Sequence, residues 1–241
     1  MRITIHQPEH LPWLGFFHKI GIADMYVVLD NVQYRHKYFQ NRNRIRGISG
    51  EEWLNVPVLV KDRRSQLIKD VEINNTDKRW KQKNWKAIVL NYRKSLYFSR
   101  YSDYFESLYS KEWRFLADFN LEAIKSCLQF LGLDTRVIKA SESGADGKGP
   151  QFLLNICKVL NADTYISGIS GIAGKGKAYE DEFSRHGIKV IYDEFHHPVY
   201  EQMRKPFMPC MSIIDLLFNH GDKSLDIIRG TGVPVIEKVF Y

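Results

Sequence analysis

The 241-residue sequence predicts an α/β protein on an open, mostly parallel five-stranded sheet, interrupted by a β-rich and helical insertion at about 34–131. Three observations predict this. A strand, a helix and a second strand follow one another within the first thirty residues, a βαβ signature. Strands and helices alternate again after residue 134. Between these stretches the pattern breaks into a basic, aromatic segment, short β-rich runs and long amphipathic helices. All 241 residues read as one α/β domain carrying that insertion.

Arg2 to His6 is a short apolar strand, and Pro12 to Ile22 carries apolar residues at helical spacing, with Pro12 suited to a first turn. Met25 to Asp30 is the second strand. Tyr34 to Arg46 is dense in Arg, Lys and aromatic residues. Glu52 to Val60 and Leu67 to Asn74 read as strands, with Pro57 placing the first near a sheet edge. Asp77 to Leu96, Tyr101 to Ser110 and Glu112 to Leu131 read as helices. The α/β pattern then resumes with strand Thr135 to Ala140, helix Gln151 to Leu160, strand Thr164 to Ser167, helix Ala178 to His186 and strand Lys189 to Tyr192. Ser212 to Asn219 is a short helix with Ser212 as N-cap and His220-Gly221 as its stop. The Gly- and Pro-containing tail from Gly230 reads as a surface strap.

Composition narrows the class. A hydrophobic share of 44% with 26% charged residues is that of a folded soluble chain. The net charge of +7 favours anionic partners, among them nucleic acid, an anionic membrane surface or phosphorylated small molecules. Cys127, Cys157 and Cys210 are far apart and unpaired in spacing, which argues against a disulfide framework and a zinc site. The sequence has no signal-peptide pattern at its start and no apolar run long enough to span a bilayer, so a cytoplasmic protein is expected.

Open α/β sheets bind ligands at the carboxyl ends of their strands. That rule selects His6 and Gln7 after the first strand, and Asp30, Asn31, Gln33 and Tyr34 after the second. Asp30 suits a sugar hydroxyl, an amine or a metal, and as a turn former it also has a purely structural reading. Asn41 and Arg42 offer amide and guanidinium donors for phosphate or carboxylate, with a solvated surface as the alternative. Gly168, Ser170 and Lys175 lie in a glycine-rich loop whose backbone N–H groups suit a phosphate, without a Walker A or Rossmann fingerprint. His196 and His197 are adjacent, so one shared metal is not expected; His196 is a candidate acid or base.

The segments HQPEHLPWLGFFHKI, DNVQY around Asp30, QNRN around Asn41, WLNVPV, YISG, HPVYEQ and SIIDLLFNHG, in that order, resemble the WbqC-like family over nearly the whole chain. Two departures stand out: His10 replaces the usual aromatic between Pro8 and Leu11, and a GIAGKGKAY stretch follows YISG. The resemblance implies a Rossmann-like protein associated with bacterial surface-polysaccharide (O-antigen) biosynthesis, where attachment of an amino acid such as glycine to an amino-sugar has been proposed.

The first strand, its Pro-containing turn and the next helix also resemble nucleotidylyltransferase-type folds, including pantothenate synthetase-like amide ligases. That resemblance implies ATP with Mg2+ as cosubstrate, although the HxGH motif falls on Trp13-Leu14-Gly15-Phe16, leaving His6, His10 or His18 to substitute. On this reading His6, Asp30 and His196 are catalytic. Gln7, Gln33, Asn41, Arg42, Tyr200 and Gln202 bind substrate, and Gly168, Ser170 and Lys175 bind phosphate. No protein-held metal is expected; Asp30, Asp193 and Glu194 leave magnesium with a nucleotide open. The partner is a nucleotide-linked or lipid-linked amino-sugar. A non-catalytic sugar-nucleotide-binding module stays open as a second reading. A nucleic-acid binder, without an RNP or recognition-helix signature, ranks third, so nucleic acid is not the expected partner.

Overall fold

A computed structural model describes residues 1–59, 65–168 and 176–230. The chain divides into two compact units, one formed by Met1–Gln7, Phe16–Asn31 and Asp134–Phe195, the other by Pro8–Gly15, Val32–Leu133 and His196–Tyr241.

The first unit holds the parallel sheet. Its strands are β1 (Arg2–His6), β2 (Met25–Val28), β5 (Arg136–Lys139), β6 (Thr164–Gly168) and β7 (Lys189–Asp193), in spatial order β5-β2-β1-β6-β7. Every pairing is parallel, with Ile3 opposite Met25 and Tyr165, and Gly168 opposite Asp193. The fold is therefore the open α/β sheet that the sequence predicts, its five strands interrupted between β2 and β5. Helices α1 (Leu14–Gly21), α5 (Gly149–Val159) and α6 (Gly176–Arg185) make the connections. Ile3, Tyr26, Val27, Phe17 and Ile20 are sealed from solvent, as a central parallel strand covered on both faces requires. Asp30 is buried and accepts hydrogen bonds from the Ser141 N–H at 3.0 Å and the Ser141 hydroxyl at 2.6 Å, tying the end of β2 to the turn after β5.

The second unit combines an antiparallel hairpin with helices. Strands β3 (Arg42–Gly47) and β4 (Gly50–Asn55) pair from Arg42↔Asn55 to Gly47↔Gly50. β3 lies inside the basic segment that the sequence pattern does not mark as a strand, and β4 stops before Pro57. The strand expected over Leu67 to Asn74 is instead a single 3-10 turn, Ile68–Asp70, flanked by isolated bridges. The Asp70 and Val71 N–H groups bond back to the carbonyls of Leu67 and Ile68, so the chain turns where the apolar alternation suggested extension.

Helices α2 (Arg79–Tyr92), α3 (Phe98–Ser110), α4 (Leu116–Phe130), α7 (Ile213–His220) and α8 (Ser224–Arg229) complete this unit. The Phe218 ring packs against Tyr92 and Phe105 with centroids 5.3 and 5.6 Å apart. Each such fully buried ring contributes about 1.5–3 kcal/mol. The Ser212 hydroxyl accepts from the Ile214 N–H and caps α7 as expected. The helix ends at Gly221, whose φ of +53° admits glycine at little cost. Cys127 and Cys157 are buried free thiols. Among the described residues, no helix is long and apolar enough to cross a membrane.

Candidate functional site

In the first unit, chain order and spatial order part company at β1 and β6. β1 lies beside β6 although the chain passes through β2 and β5 between them, so the order in which strands are added reverses there. Such a switch point leaves a crevice beyond the carboxyl ends of the two strands, where ligands of open α/β sheets bind. His6 ends β1 and Gly168 ends β6.

His6 is part-buried, and its Nδ1 lies 3.0 Å from the Gln7 carbonyl, an acceptor, so Nδ1 carries the proton and Nε2 is left as an acceptor. The ring stands edge-on to Phe16 at 5.1 Å. Burial, helped by the charge of Lys19, holds its pKa down at about 3, so His6 is neutral at physiological pH. Lys19, on α1, is buried at 5% exposure, and its Nζ lies 3.9 Å from where a side chain on Gly168 would begin. A glycine here leaves backbone and ammonium close together, an arrangement suited to an anion.

α1 contributes a second group. The Nδ1 of His18 lies 2.8 Å from Oδ1 of Asp193, the last residue of β7, and the His18 and Asp193 side chains are 22% and 6% exposed. The Phe195 ring tilts against His18 at 5.1 Å. Neither Lys19 nor the pairing of His18 with Asp193 is marked in the sequence. The partners are 175 residues apart, and only the strand order brings them together.

The carboxyl edge thus collects His6, Gln7, Asp30 and Gly168 from the residues expected by sequence. Asp30 differs from the others, since both its oxygens are already engaged by Ser141. Ser170 and Lys175 lie outside the described residues.

The remaining candidates belong to the second unit. Gln33 is exposed and bridges to Leu67. Asn41 donates its amide to the Val56 carbonyl at 2.9 Å. Arg42 donates to the Lys37 carbonyl at 2.6 Å and stacks over the Trp53 ring at 4.6 Å. His196 is exposed. Tyr200 and Gln202 are buried and both donate to Oδ2 of Asp215, at 2.7 and 2.9 Å, while Tyr92 donates to Oδ1 at 2.8 Å. Their side chains hold α7 in place.

His10, also considered as a stand-in for a motif histidine, is sealed in this unit. It stacks on Phe119 at 5.3 Å and its Nε2 lies 3.1 Å from the Tyr109 hydroxyl. The loop it belongs to is pinned by Asn43, which donates to the carbonyls of His10 and Leu11 at 3.0 and 2.7 Å. Leu11 is held at a φ of +41°, a strained value for a residue with a Cβ.

Fold and edge define a class: an open parallel α/β protein with a histidine and a buried lysine at the carboxyl edge of its switch point. The chain belongs to the WbqC-like protein family, whose model matches residues 7–227. It is 33% identical over 233 residues to an uncharacterized protein of Mycobacterium tuberculosis, covering 95% of this chain and 97% of that one. No solved structure matches the chain.

Proposed function

We propose that this protein is an ATP-dependent amide-forming enzyme, or a related acyl or aminoacyl transferase, of bacterial surface-polysaccharide biosynthesis. Its substrates on this reading are an amino acid such as glycine and a nucleotide-linked or lipid-linked amino-sugar. The observation that carries it is the buried Lys19 ammonium beside Gly168 at the switch point, next to a neutral His6. A cation in a low-dielectric crevice favours a phosphate, and the charge that grows there during phosphoanhydride cleavage, far more than it would in water. The neutral His6 offers an acceptor nitrogen to a ribose hydroxyl of the nucleotide. On this reading magnesium enters with the ATP phosphates and adds positive charge beside Lys19.

Purified protein is heated with ATP, with nucleotide-linked amino-sugars and with each plus Mg2+. A ligand at ~100 times its dissociation constant adds about 2.7 kcal/mol to the folded state. ATP is expected to raise the melting temperature of wild type but not of Lys19→Met. ATP with glycine and an amino-sugar nucleotide is then expected to yield an amide and AMP. Stabilisation by sugar nucleotides without turnover on any acyl donor would instead favour a non-catalytic binding module. No stabilisation and no AMP across the panel would remove the proposal.

A further inference from the structure

We infer that His18, held by Asp193, is the general base that removes the proton from the attacking amine. The inference rests on the amide-forming reading above. The Asp193 carboxylate can only accept from His18, so the 2.8 Å contact fixes the imidazole proton on Nδ1 and leaves Nε2 as the basic nitrogen. The carboxylate is almost entirely enclosed, whereas the ring keeps part of its surface open. This is the arrangement in which a buried acid selects the tautomer of a working histidine.

Position supports the role. Asp193 lies in register with Gly168, so the imidazole stands over the strand next to the one that carries the phosphate-facing glycine. His18 and Lys19 are successive residues of α1, one directed at Asp193 and the other at Gly168. One helix therefore offers a cation for the leaving phosphate and a base for the entering amine.

The chemistry balances. ATP and the carboxylate of the amino acid give an acyl adenylate and pyrophosphate. The amine lone pair of the amino-sugar forms the C–N bond, and the bond from the acyl carbon to the phosphate oxygen breaks, its electron pair leaving on AMP. The proton lost by nitrogen goes to Nε2 of His18 and from there to solvent.

The competing reading makes the pair a structural tie between α1 and β7. Glycine-dependent exchange of pyrophosphate into ATP reports adenylation alone, and amide formation reports both steps. His18→Gln and Asp193→Asn in the full chain are expected to keep exchange within about threefold of wild type and to lose amide formation about 100-fold or more. Nitrogen-15 NMR of the His18 ring is expected to find the proton on Nδ1 in wild type and on Nε2 in Asp193→Asn. Normal exchange with unimpaired amide formation in both variants overturns the assignment alone, as does an Nε2 proton in wild type. Loss of both half-reactions together in both variants makes the pair a structural tie and also overturns it. A wild type with neither exchange nor product overturns the underlying function, and the base with it.

Discussion

Tyr92 and Tyr200 both donate to the buried carboxylate of Asp215, yet removing their hydroxyls should not cost the same. Asp215 is fully enclosed, and burial raises its pKa above the ordinary carboxylate value despite three side-chain donors. In Tyr200→Phe, Oδ2 keeps the amide of Gln202 at 2.9 Å. One hydrogen bond to a charged group is lost, about 1.5–3 kcal/mol. In Tyr92→Phe, Oδ1 loses its donor, and the Arg46 N–H, which bonds to the Tyr92 hydroxyl at 2.9 Å, loses its acceptor. A stranded buried N–H costs roughly 1–3 kcal/mol more, so Tyr92→Phe is expected to cost about 3–5 kcal/mol.

All five tryptophans, Trp13, Trp53, Trp80, Trp85 and Trp113, belong to the second unit. Urea unfolding followed by tryptophan fluorescence therefore reports on the unit that carries Asp215, and an unchanged slope makes the midpoint shift a stability change. The pH dependence provides a second check. A carboxylate whose folded pKa is raised binds more protons folded than unfolded, so stability falls as pH rises through that window. Loss of the Tyr92 donor raises the pKa further, and the deficit of Tyr92→Phe should be larger at pH 7.5 than at pH 4.5. Equal losses in the two variants, or a Tyr92→Phe cost below about 1 kcal/mol, would refute the reasoning.

Two further outcomes follow from the same unit. His10 and His197 are kept neutral by burial, His10 with a pKa of about 4. Because these folded values are depressed, their stabilisation is present above the unfolded pKa near 6.5 and is lost as pH falls below it, by about 1.4 kcal/mol for His10 at one unit lower. His10→Phe should remove the His10 share of that acid loss in urea titrations between pH 7.5 and 5.5; an unaltered slope would count against it. At Gly221 an added Cβ would sit 2.3 Å from the Tyr97 ring at a φ of +53°, whereas at Gly230, at +70°, nothing lies within 4 Å. Gly221→Ala is expected to cost about 2–4 kcal/mol and Gly230→Ala only about 1–2, and comparable losses would discount the ring contact.

The parallel strands were legible because their apolar runs alternate with helical periods, and the carboxyl ends they define pointed to His6, Gln7 and Gly168. The strand order was not, since no local pattern says that β6 rather than β5 lies beside β1. His18 with Asp193 and Lys19 with Gly168 became visible only through that order. β3 escaped because Arg42, Arg44 and Arg46 occupy alternate positions along it, and their charge masks the alternation around Ile45. Tyr200 and Gln202 were singled out as polar residues in a family-like segment. The sign of their structural role was Asp215, a lone acid inside the apolar run SIIDLLFN, which has to be neutralised or bonded wherever that run is buried.

The middle position of β1 also governs how the chain acquires its shape during synthesis. β1, the central strand, needs β2, which follows about twenty residues later, and β6, which comes only from Thr164 onward. Until the ribosome has delivered that second neighbour, one side of an apolar strand has unpaired backbone groups while more than a hundred residues of other structure emerge. Nascent chains stalled before Thr164 therefore carry an open, adhesive edge of the sort that recruits chaperones or seeds aggregates. Completion of the switch point coincides with closure of that edge, so a chain able to offer the crevice has already passed its most hazardous stage.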